Sequence, residues 1–302
     1  MSSTLPVSPT HDDGPVQRRR SSLRSWLFVP GIAWVLLGVI VPFGYLLLSS
    51  LWMERTGWLT SRPPEWTLSH YWDFITDPFL LKTLLRSVIV GFISVLGAFL
   101  VGYPIAYFVS RSKSRLALII STIVIFPLLV NGVIRSYGWI VLLANSGVVN
   151  QGLLLTGIID EPLKLLFNNV GATIGLVHLY TPYMVLSVMA VLSGIDETYE
   201  KAAQDLGSPP YQAFLLTTLP LSLPGILAGG LLVFARSITA FTTPYILGGG
   251  TFLMPVMIQQ QFTVLFRWSE GAASAIILAV TAITVMQLSR LVRTTRHDSG
   301  GR

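Results

Sequence analysis

The 302-residue chain contains no cysteine. That excludes a disulfide, a thiol nucleophile and a cysteine-ligated zinc site. Charge is also scarce, with 11% Asp, Glu, Lys and Arg against about 25% in an ordinary soluble domain. The four histidines (His11, His70, His178 and His297) show no metal-ligand spacing, and no His-Glu-x-x-His occurs. Ser, His and Asp are too scattered to nominate a catalytic triad. No Gly-x-x-x-x-Gly-Lys-Ser/Thr loop is present, because Gly248-Gly249-Gly250 is followed by Thr251-Phe252. No basic surface is interleaved with stacking aromatics on a soluble module, so nothing points to nucleic acid. What the chain has in quantity is apolar surface: 52% of its residues are hydrophobic and the mean hydropathy is +0.66. A water-soluble chain of this size cannot hide that much, since much of its surface must stay wet. The sequence belongs in a lipid bilayer.

A hydrocarbon core about 30 Å thick needs about 20 apolar residues in a helix. Six stretches meet this: Trp26 to Leu51, Thr83 to Ser110, Leu116 to Leu143, Val170 to Leu192, Leu221 to about Phe241, and Ala272 to Leu291. They are continuous runs and not the ten-residue alternating segments of a β-barrel. The expected fold class is therefore all-α and polytopic. Residues 26–292 form a transmembrane domain between polar tails at 1–25 and 293–302.

Basic residues orient the spans. Twelve of the 20 Lys and Arg lie on the face shared by both tails, among them Arg18, Arg19, Arg20, Arg111, Lys113, Arg115, Lys201 and Arg293. The opposite loops hold five, and Arg86, Arg135 and Arg236 fall within spans. The positive-inside rule puts both termini in the cytoplasm. The high pI, near 9.7, is thus a topology signal. Arg19-Arg20 is read as part of an uncleaved signal anchor, since the apolar run after it is too long for a signal peptide. On the outer side Trp52, Trp58, Trp66, Tyr71 and Trp72 crowd one loop, as aromatics do at the headgroup zone.

The connection from Ser193 to Pro220 is far longer than a turn requires. Asp196 is a candidate N-cap, and Glu197 and Glu200 sit early, where the helix dipole favours acids. Ile195, Tyr199, Ala202, Ala203 and Leu206 recur at helical spacing. Gly207 suits the position just past a helix end, and Pro209-Pro210 forbid simple continuation. A second short helix, Tyr211 to Leu219, leads to Pro220. The first helix, about 16 Å long at 1.5 Å per residue, has two readings: a helix lying in the membrane interface, or a docking knob for a soluble partner. Membrane-surface helices show bulky apolar residues and a basic polar face. This one shows alanines and mostly acids, which favours the knob.

The stretch Lys201-Ala202-Ala203-Gln204-Asp205-Leu206-Gly207, with Leu219-Pro220 and Leu223-Pro224-Gly225, resembles the EAA loop of permeases from binding-protein-dependent ABC importers. The family pattern is Glu-Ala-Ala, three residues, Gly, nine residues, Ile-x-Leu-Pro, and Gly207 stands at the required distance from Leu219-Pro220. Two positions depart. Lys201 occupies the glutamate position with Glu200 displaced by one residue, and Thr217 occupies the isoleucine position. The segments Phe126-Pro127 to Asn131, Ile134-Arg135-Ser136-Tyr137-Gly138-Trp139, Gly147-Val148-Val149-Asn150, Leu179-Tyr180-Thr181-Pro182-Tyr183-Met184 and Leu247-Gly248-Gly249 are similar to the first-permease type of spermidine/putrescine importers. That branch is itself similar to permeases for iron(III), opines and aminoethylphosphonate.

The resemblance implies a type I ABC permease of MetI-like fold. It also implies no ATPase in this chain, with ATP and Mg bound by a partner ATPase dimer. A second homologous permease would complete a heterodimer in the membrane lipid, and a periplasmic or lipid-anchored solute-binding protein would deliver the cargo. Glu200, Lys201, Ala202, Ala203, Asp205, Leu206 and Gly207 would couple the chain to the ATPase. ATP-driven motion of this coupling helix would switch the cavity between inward- and outward-facing states.

An ionisable group within a bilayer is costly and tends to face a cavity or a partner. Arg135 and Arg236 are therefore candidate pathway or gate residues; the alternative is an arginine that snorkels or bonds between helices. Asn131, Tyr137 and Thr239 are further pathway candidates. His178 suits a helix–helix bond. Gly171-x-x-x-Gly175 and Gly225-x-x-x-Gly229 permit close helix packing, and Pro244, the glycine run and Pro255 suggest an irregular or re-entrant segment after span five. No acid lies in a span. A proton-coupled carrier generally needs embedded carboxylates, so this absence opposes that rival. It also leaves any cationic solute without an anionic site in the spans, to be handled by the partner subunit, by aromatic rings or by acids at the outer mouth.

Overall fold

The computed structural model describes residues 29–52, 65–249 and 253–298. Trp58, the Arg19-Arg20 pair and the rest of the first tail lie outside them. No β-strand forms among the described residues; all the regular elements are helices. The chain divides into two units, Met1–Leu48 and Ser49–Arg302. The first carries most of α1 (Val29–Ser50), which is apolar all round and none of whose most apolar window is buried. A helix that is hydrophobic all round with no polar face suits a membrane span.

The second unit begins with the short α2 (Ser69–Thr76) and the 34-residue α3 (Pro78–Arg111). Asp77 caps α3 by accepting the Phe79 N–H at 2.7 Å, and Pro78 takes the first helical position, where its missing N–H is harmless. There follow α4 (Arg115–Leu129), α5 (Gly132–Leu143), α6 (Val148–Leu155) and α7 (Asn169–Leu192). Next come the knob helix α8 (Thr198–Asp205), α9 (Pro210–Ala213), a π-turn (Phe214–Thr218) and α10 (Leu219–Ile238). The chain closes with α11 (Thr242–Leu247), α12 (Met254–Thr263) and α13 (Trp268–Asp298).

The core is made by α3, α7 and α10, which pack pairwise. Ala98, Tyr103 and Ala106 of α3 meet Met184, Val185, Val188 and Leu192 of α7 and Val233 of α10. Lipid tails are as apolar as leucine, so such helices associate through close backbone approach at small residues. Gly225 and Gly229 supply it: a Cβ on Gly225 would lie 2.9 Å from the Ser187 carbonyl, and one on Gly229 2.8 Å from Met184 Sδ. Gly175, of the other small-residue pair, is pressed equally close to Leu247 of α11.

Among the described residues, six helical segments are long and apolar enough to cross a membrane: Pro30–Ser50, Pro78–Arg111, Gly132–Leu155, Asn169–Leu192, Pro210–Ile238 and Trp268–Leu288. The count matches the sequence expectation, but three details differ. The expected third span, Leu116 to Leu143, is broken at Val130–Asn131. α4 runs through Pro127 and ends at Leu129, where the Val130 N–H turns back to the Pro127 carbonyl, and the Asn131 carboxamide caps a new helix by accepting the Val133 N–H at 2.8 Å. The second loop helix and span five form one path from Pro210, widened where Leu219 N–H reaches back to the Phe214 carbonyl. Pro220 explains the widening, since its ring would clash with the carbonyl four residues back in a regular helix. The boundary residue of α8 is Glu197 and not Asp196, although Asp196 still does the capping.

Candidate functional site

The knob starts with an Asx turn. Asp196 Oδ1 accepts the Thr198 N–H at 2.8 Å and the Thr198 hydroxyl at 2.7 Å. These two bonds, the hydroxyl first, hold the Asp196 carboxyl below its ordinary pKa. The helix ends in a Schellman motif: Ser208 N–H donates to the Ala203 carbonyl at 3.1 Å and Gly207 N–H to the Gln204 carbonyl at 2.9 Å. That closure needs a left-handed residue, and Gly207 has φ +93°. Both ends of a helix only eight residues long are therefore fixed by its own sequence, as expected for Gly207.

The seven residues expected to couple to an ATPase divide by side. Glu200 points into the protein. Its carboxylate accepts the Tyr107 hydroxyl at 3.0 Å and the Thr218 hydroxyl at 2.8 Å. Ala203 is half-buried beside it. Lys201, Ala202, Asp205, Leu206 and Gly207 are exposed, with Leu206 at 89%. Lys201 pairs with Glu197 at 3.5 Å, an exposed contact of a kind that contributes under about 1 kcal/mol. Tyr199, Ala202 and Leu206, at spacings of three and four, make an outward apolar stripe, and Tyr211 beyond the turn is also exposed. Of the apolar positions seen in the sequence, Tyr199, Ala202 and Leu206 thus face away from the helix bundle, while Ile195 packs against its core and Ala203 is half-buried.

Three residues that anchor the knob carry no motif. Tyr107 and Arg111 lie on the last turns of α3, and Arg111 donates from Nη1 to the Ile195 carbonyl at 2.8 Å, holding the entry to the loop. Thr218 belongs to the π-turn, whose Phe214 ring packs edge-on against Tyr103 and Tyr107. Tyr103 in turn shares a 2.9 Å hydrogen bond with Ser222 of α10. Tyr103, Tyr107 and Arg111 recur every four residues, a stripe of polar-tipped side chains on an apolar span, and that spacing is the signal that could have found them.

The pathway candidates also separate. Arg236 of α10 lies with Cζ 5.5 Å from the centre of the Tyr183 ring on α7. Arg135 of α5 is within electrostatic reach of Tyr183 and Tyr180, whose rings are 6.0 Å apart. Nε and Nη1 of Arg135 are buried without a hydrogen-bond partner. Of the two arginines, Arg236 sits over one ring of this tyrosine pair. Asn131 is occupied as the α5 cap and Thr239 donates to the Ala235 carbonyl at 2.8 Å, while Tyr137 is 59% exposed. His178 accepts from Trp139 Nε1 at 3.1 Å, a bond between α5 and α7.

Six apolar helical segments among the described residues, with a capped and exposed knob helix at one end, define a multi-pass membrane protein. The chain belongs to the family described as binding-protein-dependent transport system inner membrane component, whose model matches residues 94–293. It is 31% identical over 272 residues to the spermidine/putrescine transport system permease protein PotB of Escherichia coli K12, covering 88% of this chain and 94% of that one. It is 26% identical to the molybdenum transport system permease protein ModB of Mycobacterium bovis, covering 88% and 94%. Its fold is that of a bacterial ABC transporter involved in import of the acidic polysaccharide alginate (TM-score 0.69, 17% identity, 89% of this chain and 94% of that one). The chain is a type I ABC importer permease, a non-catalytic, multi-pass inner-membrane subunit.

Proposed function

We propose that the chain is one of two transmembrane subunits of an ATP-driven polyamine importer, carrying a solute such as spermidine or putrescine. Both termini are cytoplasmic, so α8 faces the cytoplasm, where an ATPase dimer binding ATP and Mg grips it. A second homologous permease completes the pathway, and a periplasmic or lipid-anchored receptor delivers the cargo. The likeness to spermidine/putrescine permeases over most of the chain supports the solute.

The observation that carries the mechanism is the double anchorage of Glu200. One bond ties the knob to α3 through Tyr107 and the other to the π-turn leading into α10 through Thr218. These are two of the three core helices. A push on α8 therefore reaches the core as a rigid displacement, the kind of two-state lever that a bound nucleotide can bias. The outward stripe of Tyr199, Ala202 and Leu206 offers the ATPase an apolar grip. Lys201, and not Glu200, is exposed at the position of the family's usual glutamate, beside the exposed acids Glu197 and Asp205, so that one position carries the opposite sign.

The test is uptake by the complete complex in proteoliposomes. Accumulation of labelled spermidine and putrescine is expected to require receptor and ATP and to survive an uncoupler. Uptake that ignores ATP and collapses with the proton gradient would overturn the reading.

A further inference from the structure

Among the described residues the only carboxylate within the six spans is Glu270, in the first turn of the last one, yet the proposed cargo is a cation. A polar cavity at the opposite end of α3 from the knob bears on this. It measures about 360 Å³ and is enclosed by α2, the start of α3, the end of α12 and the start of α13. That volume lies at the lower end of the ~300–1,000 Å³ range of small-molecule sites. Asp73, Asp77 and Glu270 line it together with His70, Arg267 and Gln261.

The charges do not cancel. Arg267 Nη1 is 3.3 Å from Glu270 Oε2, so that pair is neutral. Among the described residues no cation pairs with Asp73 or Asp77. Asp77 is fixed by its capping bond to Phe79 N–H. His70 Nε2 is held 3.0 Å from the Trp52 carbonyl. A separate observation comes from Gln261: it is 6% exposed, and its buried Oε1 has no hydrogen-bond partner. A buried acceptor left unmade costs about 1–3 kcal/mol, so a donor is wanted where the two unpaired carboxylates already favour a positive charge. No group of three or more His, Cys, Asp or Glu among the described residues is placed to hold a metal ion. A ligand that brings N–H donors with its positive charge fits better than a bare ion.

We propose that this cavity is a binding site for an aliphatic ammonium group of the cargo, with Asp73 and Asp77 as counter-ions and the Gln261 side-chain carbonyl as acceptor. It rests on the polyamine reading above. It gives the importer an anionic stage at the mouth opposite the ATPase contact, before the arginine-flanked middle of the bundle. Three N–H donors on one primary ammonium match three acceptors of this kind.

The experiment uses the complete complex in proteoliposomes with saturating receptor, comparing wild type, Asp73→Asn/Asp77→Asn and Gln261→Leu. Asparagine preserves size and the cap at position 77, and recovery of assembled complex by size exclusion checks folding. Uptake of labelled putrescine and spermidine is measured against solute concentration, alongside receptor affinity and receptor-stimulated ATP hydrolysis. The half-saturating concentration is expected to rise roughly tenfold in each variant, the usual weight of a charge-assisted bond, with receptor affinity and ATP hydrolysis unchanged. Direct calorimetric titration of putrescine into the receptor-free complex is expected to give heat for wild type and none for the double variant. Half-saturation within twofold of wild type, or a defect that follows receptor affinity, as a docked receptor lysine would produce, overturns the site. A wild-type complex that transports neither amine but carries another solute would overturn the polyamine reading instead.

Discussion

The Tyr107 hydroxyl, on the penultimate turn of α3, donates to the Glu200 carboxylate at 3.0 Å across 93 residues of chain. The bond joins the knob helix to the longest helix of the bundle. Glu200 accepts from Thr218 as well, so one carboxylate ties three segments. Removing one donor to a charged acceptor costs about 1–3 kcal/mol. Tyr107→Phe is therefore expected to leave insertion intact, loosen α8 and lower the solute moved per ATP hydrolysed. Amide exchange over residues 198–207 together with the uptake-to-hydrolysis ratio checks this; an unchanged ratio would show that the tie is not a lever.

Gly207 tests the angle of the knob. Its added Cβ would meet nothing within 4 Å, but its φ of +93° is unfavourable for any residue with a side chain. The left-handed conformation costs an L-residue about 1–2 kcal/mol, less for asparagine. Uptake is expected to fall in the order Gly, Asn, Ala at position 207, and Gly207→Trp is expected to uncouple hydrolysis from uptake. Normal uptake by Gly207→Trp would reject a coupling role.

Gly225 tests the core. A Cβ there would stand 2.9 Å from the Ser187 carbonyl and 3.1 Å from Val188 Cα, and backbone cannot swing aside as a side chain can. Gly225→Val is expected to destabilise the subunit by about 1–3 kcal/mol and to lower recovery of assembled complex. Gly138→Ala, where the new methyl meets nothing within 4 Å, serves as the neutral comparison. Thermal unfolding in detergent separates the two.

Asp196 sets a pH dependence. Its folded carboxyl titrates below the ordinary value of 3.8 because Thr198 donates its hydroxyl and its N–H to it. A depressed carboxylate contributes its stability fully above the unfolded pKa and loses it as pH falls through the lower folded one. Protection of the Thr198 amide, corrected for intrinsic exchange, is expected to hold from neutral pH to about pH 4 and to drop below it. Asp196→Asn is expected to abolish that acid step.

Much of this architecture was legible because the bilayer demands it. Continuous apolar runs located the spans, and Gly207 with Pro209-Pro210 ended the knob where the structure ends it. What was hidden came from contacts distant in sequence. Nothing local to Glu200 says that it turns inward, because its partners are 93 and 18 residues away. The break at Asn131 was masked by hydropathy, which sees Leu116 to Leu143 as one run. Asp73, Asp77 and Glu270 read as scattered loop acids until α2 and α13 pack together. Arg236 reaches the Tyr183 ring only once α7 and α10 pack together.

The absence of cysteine makes the central claim directly testable, since one introduced thiol is unique in the subunit. Ala202→Cys or Leu206→Cys, both on the exposed stripe of α8, is labelled with a short photocrosslinker in the assembled complex. The account predicts capture of the ATPase subunit, with an efficiency that changes when ATP is added. Capture of phospholipid alone, with no ATPase adduct in either nucleotide state, would contradict it.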